Sequence, residues 1–141
     1  MSDNVQIVKD GYADFLNGNV AGVLGRFADE FTFTVPGAPE IPYAGTKRNQ
    51  QELAGFFQEL GAKVTFSLFE PREYVATGDR VVALGRYAGS VNQSGRPFTG
   101  DWAMAWTIRD GKVVDFVEYS DPSEIKAGFA PARPAALIGQ A

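Results

Sequence analysis

The feature that most constrains this chain is the run Met104 to Asp121, MAWTIRDGKVVDFVEYSD, in which two alternating apolar segments flank Arg109-Asp110-Gly111-Lys112. Asp-Gly between such segments predicts a tight hairpin, because both central turn positions need a positive φ. Residues 98–109 and 112–120 are therefore expected as adjacent antiparallel strands. Period-2 alternation puts Trp102, Met104, Trp106 and Ile108 on one face of the first strand. It puts Val114, Phe116, Glu118 and Ser120 on one face of the second. Glu118 is the exception in that row, an ionisable carboxyl among apolar or small residues. If the row faces the core, an acid sits inside an aromatic cavity.

Upstream of the hairpin the pattern alternates between periods. Val5, Val8, Tyr12, Phe15 and Leu16 recur at helical spacing and predict a helix over 5–17, closed by Asn17-Gly18-Asn19. Asn19 can cap a second short helix over 20–26. Glu30 to Val35 alternates as a strand. The Pro- and Gly-punctuated stretch 36–48 reads as a loop, and its Ile41 and Tyr43 suit closure over a cavity. Leu53, Phe56, Phe57 and Leu60 give a third helix over 47–60. Four strands follow: 64–69 continuing past a bulge at Glu70-Pro71 into 72–76, then 80–92, then the hairpin pair. Residues 128–141 are Ala-, Pro- and Gly-rich and are expected as a tail beyond a single domain spanning 1–127.

Three helices and a strand followed by an antiparallel meander predict an α+β fold, with helices packed in a strongly curved, mostly antiparallel sheet that encloses an apolar cavity. Phe33, Val35, Phe57, Trp102, Met104, Trp106, Phe116 and Glu118 should converge on that cavity, with Tyr43 near its mouth. Along the outer face, Val81, Ala83, Tyr87, Ala103, Ala105, Val113 and Val117 are apolar or small, which suits a homodimer through that face.

Composition narrows the chemistry. Cysteine and histidine are both absent from the 141 residues, which removes disulfides, thiolate nucleophiles, Ser-His-Asp triads and ordinary zinc sites. Acid–base work falls to Asp, Glu, Tyr or Lys. A net charge of −4 with no basic run argues against nucleic acid. No apolar run approaches a membrane span and no signal-peptide core precedes the first helix, so a cytoplasmic protein is expected, with a small hydrophobic molecule as its partner.

The strings GYADFLNGNVAGVLGRFADEFTF (11–33), PGAPEIPYAGTKRNQQELAGFF (36–57) and DWAMAWTIRDGKVVDFVEYSD (101–121) resemble the ketosteroid-isomerase-like, SnoaL-like superfamily, the nuclear-transport-factor-two-like cone. The resemblance spans roughly residues 5–126. It implies the cone-shaped roll, pairing of subunits, and cofactor-independent chemistry of the isomerase, cyclase, dehydratase or epoxide-hydrolase kind. Tyr12 falls at the oxyanion-hole tyrosine of ketosteroid isomerases, but the isomerase base corresponds to Val35 before Pro36, and the second acid falls near Met104. Against limonene-epoxide-hydrolase-like members, Arg80 matches an arginine, Val82 replaces an aspartate, and Glu118 holds the last-strand acid position. The Asp and His partnership of SnoaL-type cyclases has no counterpart, since the chain has no His. Glu118-Tyr119-Ser120-Asp121-Pro122 is similar to the last-strand setting of some phenazine-pathway members. The expected catalytic groups are thus Glu118 as proton carrier, Tyr12 as oxyanion stabiliser and Arg80 as Glu118's ionic partner, with no cofactor and no metal. The alternative is a non-catalytic binding or dimerisation domain of the same fold.

Overall fold

In the computed structural model, which describes residues 2–131, the chain runs α1 (Ser2–Leu16), α2 (Val20–Leu24), β1 (Phe27–Val35), β2 (Gly45–Asn49), α3 (Gln50–Lys63), β3 (Val64–Thr77), β4 (Arg80–Val91), β5 (Pro97–Arg109), β6 (Lys112–Ser120) and α4 (Ser123–Phe129). The six strands form one sheet in the order β2-β1-β6-β5-β4-β3. Neighbours run antiparallel except β1 and β6, which are parallel. The fold is the expected α+β roll, with helices over one face of a curved sheet.

Local chemistry sets the element ends. The β5–β6 hairpin pairs Arg109 with Lys112 across Asp110 (φ 52°) and Gly111 (φ 76°), the left-handed pair a two-residue turn demands. Asn19 caps α2 by accepting from the Gly22 N–H at 3.0 Å. Asn49 caps α3 by accepting from Glu52 N–H at 2.9 Å, while the Glu52 carboxylate accepts from Arg48 N–H at 2.8 Å. β3 is one strand whose pairing with β4 shifts between Phe66 and Leu68 and again between Pro71 and Glu73, so the chain passes Pro71 without ending the ladder.

Several expectations need correction. Residues 45–49, expected as loop and helix start, form β2 on the edge beside β1. Their side chains (GTKRN) are polar and small, so no alternation marks them; backbone pairing alone makes the strand. α4 runs past 127, to Phe129, and so reaches into the stretch expected as tail. Gly128 lies tight against Val91, and Phe129 meets the Tyr43 ring edge-on at 6.1 Å. The remainder of the expected tail, 132–141, lies outside the described residues.

Register also reassigns part of the outer face. Val81 pairs with Trp106, Ala83 with Met104 and Tyr87 with Gly100. Directly paired residues share a face, so Val81, Ala83 and Tyr87 belong to the concave side, and all three are buried. A register shift between Thr107 and Ile108 likewise brings Val113, rather than Val114, into the core. The convex face carries Val82, Leu84, Ala103, Ala105 and Val117. Among the described residues no helix is long and apolar enough to cross a membrane.

Candidate functional site

The hollow of the sheet is closed from above by α1 and α3 and at one end by the 36–44 loop and α4. Each contributes walls for a simple reason: its apolar stripe has nowhere else to be buried. Phe33 from β1 stacks on Phe116 from β6 at 4.3 Å and 10°. Phe56 meets Phe33 at 4.8 Å, and Trp106 meets Phe116 edge-on at 4.8 Å. The cavity left between these rings is about 80 Å³, counted as space open to the centre of a water molecule. One water needs roughly 10–15 Å³ by that measure, so the space admits several waters or one compact organic molecule.

Phe33, Val35, Tyr43, Phe57, Met104, Trp106, Phe116, Tyr12 and Glu118 all line this space. Ile41 and Tyr43 are buried although they lie on a loop, and Tyr43 also borders a shallow outer groove with Pro42, Lys47 and Glu52. That places Tyr43 between the cavity and the surface.

Two expected residues stand elsewhere. Trp102 is buried on the concave side but behind the wall. Its ring stacks on Phe69 at 5.2 Å and lies over Gly85, where any Cβ would run into it. Its indole N–H finds no partner among the described residues. Arg80 pairs with Thr107, two positions along from the Val82–Ala105 pair, and is exposed on the convex side. Glu118 pairs with Met104 on the concave side. The two side chains therefore point to opposite faces of the sheet, and Arg80 cannot be Glu118's ionic partner.

Glu118 faces the cavity, as alternation requires, with Tyr119 exposed on the other side. It keeps some accessible surface because it borders a hollow, yet protein surrounds it. Burial pushes its carboxyl above the ordinary value of 4.5, and a hydrogen bond from Ser120 partly opposes that rise. The Ser120 hydroxyl donates to Glu118 Oε2 at 2.8 Å. Among the described residues no Lys or Arg lines the cavity.

Three phenols share the space. Tyr12 is committed twice: its oxygen accepts from Trp106 Nε1 at 3.0 Å, and its O–H donates to Met104 Sδ at 3.2 Å. Tyr87 donates to Ser120 Oγ at 3.4 Å. Tyr43 makes no side-chain hydrogen bond among the described residues, so its hydroxyl is the uncommitted one. Burial holds all three phenols above the usual tyrosine value, Tyr87 at about 12, with the nearby Glu118 carboxyl a further cause for each. None ionises near neutrality.

Ser120 and Tyr87 were not expected at the site. Ser120 shares Glu118's alternating row, so a signal existed. Tyr87 had a fainter one: Arg80 and Arg86 share the alternate row of β4, which turns Tyr87 to the other face.

With that geometry fixed, comparison with known proteins places the chain. A family model described as a SnoaL-like domain matches residues 8–116. The chain belongs to the SnoaL-like family. Its match ends two residues before Glu118, so family membership assigns the fold and leaves Glu118 to be argued from its surroundings. An NTF2-like protein from Burkholderia xenovorans LB400 is similar at 36% identity, over 92% of this chain and 98% of that one, with a TM-score of 0.84. TerC, crystallised with polyporic acid, is 26% identical over 91% of this chain and 98% of its own, with a TM-score of 0.80. A Xanthomonas campestris protein of unknown function with a cystatin-like fold shares that fold, at 21% identity over 91% and 98% and a TM-score of 0.80. No curated protein matches the chain.

Proposed function

We propose that this SnoaL-like chain binds a compact, largely apolar molecule, cyclic or carbonyl-bearing, in its cavity and moves a proton on it with Glu118. One observation carries this reading: the cavity is walled by aromatic rings and, among the described residues, holds a single carboxyl, held above its ordinary value by burial and faced by no cation. A neutral carboxyl in such a place donates a proton to a ligand oxygen, and its conjugate base, poorly solvated, takes one back. Tyr43 supplies a free O–H in the same space. The co-crystal of TerC with polyporic acid supports a small organic molecule as the kind of partner. This chemistry, of the isomerase, cyclase, dehydratase or epoxide-opening kind, asks for no cofactor.

The test needs a ligand first, found by thermal-shift screening of cyclic ketones, lactones and quinones. Glu118→Gln keeps the shape and removes the titration. Turnover should fall by about 10²-fold or more with the fold unchanged. Equal turnover in the variant would remove Glu118 as the proton carrier.

The second reading is a non-catalytic binding domain, and one observation favours it. Tyr12, the expected oxyanion stabiliser, is tied to Trp106 and Met104 within the wall. Under that reading Glu118→Gln leaves every turnover measurement at background while ligand affinity survives.

We further infer that two copies pair through the convex face. Val82, Leu84, Ala103, Ala105 and Val117 form an uncharged central patch there, beside the exposed Tyr119. Light scattering at micromolar concentration should give twice the chain mass, and Leu84→Arg should halve it.

A further inference from the structure

We propose that Ser120 and Tyr87 are positioning residues for Glu118: together they hold one oxygen of its carboxyl and leave the other to meet the ligand. Ser120 lies two residues after Glu118 on the same strand face, and its hydroxyl donates to Oε2 at 2.8 Å. Tyr87 comes from β4 and donates to Ser120 Oγ at 3.4 Å, reaching across β5 to do so. The residue opposite Tyr87 on β5 is Gly100, and a Cβ there would stand 3.2 Å from the Tyr87 ring. Glycine at that point clears the path over the intervening strand. The ring is then held in place edge-on to Phe98 at 5.5 Å.

The direction of this chain decides which oxygen of the carboxylate is held. A serine hydroxyl has one proton, and here it is given to Oε2, with the Tyr87 proton given to Ser120 Oγ. In the ionised acid Oε2 is thereby the held oxygen, and Oε1 is the one that Ser120 leaves free for a proton and a ligand. A ligand oxygen that takes the proton from Glu118 must accept, as a carbonyl or ether oxygen does. Once Glu118 has given up its proton, the bond from Ser120 becomes charge-assisted and steadies the carboxylate. The ligand-facing half of this inference rests on the function proposed above; the holding of Oε2 does not.

The groups that face this carboxyl are few. Among the described residues they are Tyr12 from α1, Tyr43 from the β1–β2 loop and Tyr87 from β4, with Asp121 between β6 and α4 and Glu124 in α4 acting on Tyr87. β1, α3, β3 and β5 present only apolar side chains to it. A shift in its titration therefore reports mainly on Ser120.

The experiment follows the carboxyl C=O infrared band of Glu118 through a pH titration of the ligand-free protein, assigned by subtraction of Glu118→Gln. Ser120→Ala should raise the midpoint by about one pH unit, since it removes a donor to the charged form. Tyr87→Phe should raise it by less, and Ser120→Thr should keep it near wild type. A midpoint that stays put in Ser120→Ala overturns the proposal. If that variant does not fold, Tyr87→Phe decides on the same terms, an unshifted midpoint counting against it. Because no turnover is measured, this outcome is separate from the fate of Glu118 as proton carrier.

Discussion

The two faces of one sheet are built on opposite plans. The concave face carries Phe33, Phe69, Tyr87, Trp102, Trp106 and Phe116, whose rings pack at 4–6 Å, and its cavity is lined by a single acid among the described residues. The convex face carries Val82, Leu84, Ala103 and Ala105, with the Arg86–Asp101 ion pair at 3.0 Å on an exposed margin. Alternate residues of the same strands make both. The difference shows where free energy resides: large rings on the inside stabilise the fold, while small side chains outside leave a flat surface whose use lies beyond the monomer.

The comparison can be broken most severely from the inside. Phe33→Ala removes the ring stacked on Phe116 and should lower stability by about 3–5 kcal/mol, read from urea midpoints. The Glu118 acid should be next, and its sign depends on pH. Its folded-state value lies above the ordinary 4.5, so its favourable share is fully present below pH 4.5 and is lost as pH rises through the folded value. Glu118→Gln should therefore gain on wild type as pH goes from 4 to 8, by about 1.4 kcal/mol for each unit that the titration stands above 4.5. Melting temperatures that track each other across that range would contradict a buried, unpaired carboxyl. The outer face should respond least. Arg86→Gln breaks a pair whose Asp101 side chain is 79% exposed, and the stability of the subunit should change by less than about 1 kcal/mol.

The same contrast explains how much of the molecule is legible in the sequence. Alternation reads cleanly where one face is polar, as in Glu30 to Val35, and it turns Glu118 inward as expected beyond the register shift near Val113. It is weak on β4, where Val81 and Ala83 are no more apolar than Val82 and Leu84 and only Arg80 and Arg86 mark the outward row, so Tyr87 was assigned to the wrong face and Arg80 to the wrong site. β2 escaped because its polar side chains carry no pattern. Ser120 was visible in Glu118's row, but a serine there reads equally as filler until a distance shows its hydroxyl on the carboxyl. The chamber itself was readable from aromatic rows and from Ile41 and Tyr43 on a loop. Trp102 was not separable from Trp106, since both share a row and only the glycine opposite, Gly85, draws one ring behind the wall.

The parallel pairing of β1 with β6 bears on how the molecule comes into being. Phe33 lies beside Phe116, more than eighty positions later in the chain. Every other neighbouring pair of strands is joined by a short stretch of chain and can form soon after it is made. The β1–β6 seam must wait for the whole meander, and contacts between such distant residues are slow to close. The stacked Phe33–Phe116 pair and the acid two residues beyond it are therefore assembled in the same late event. A chain interrupted before residue 112 lacks β6, and with it both Phe116 and Glu118, so neither the seam nor the acid of the chamber exists without the last strand.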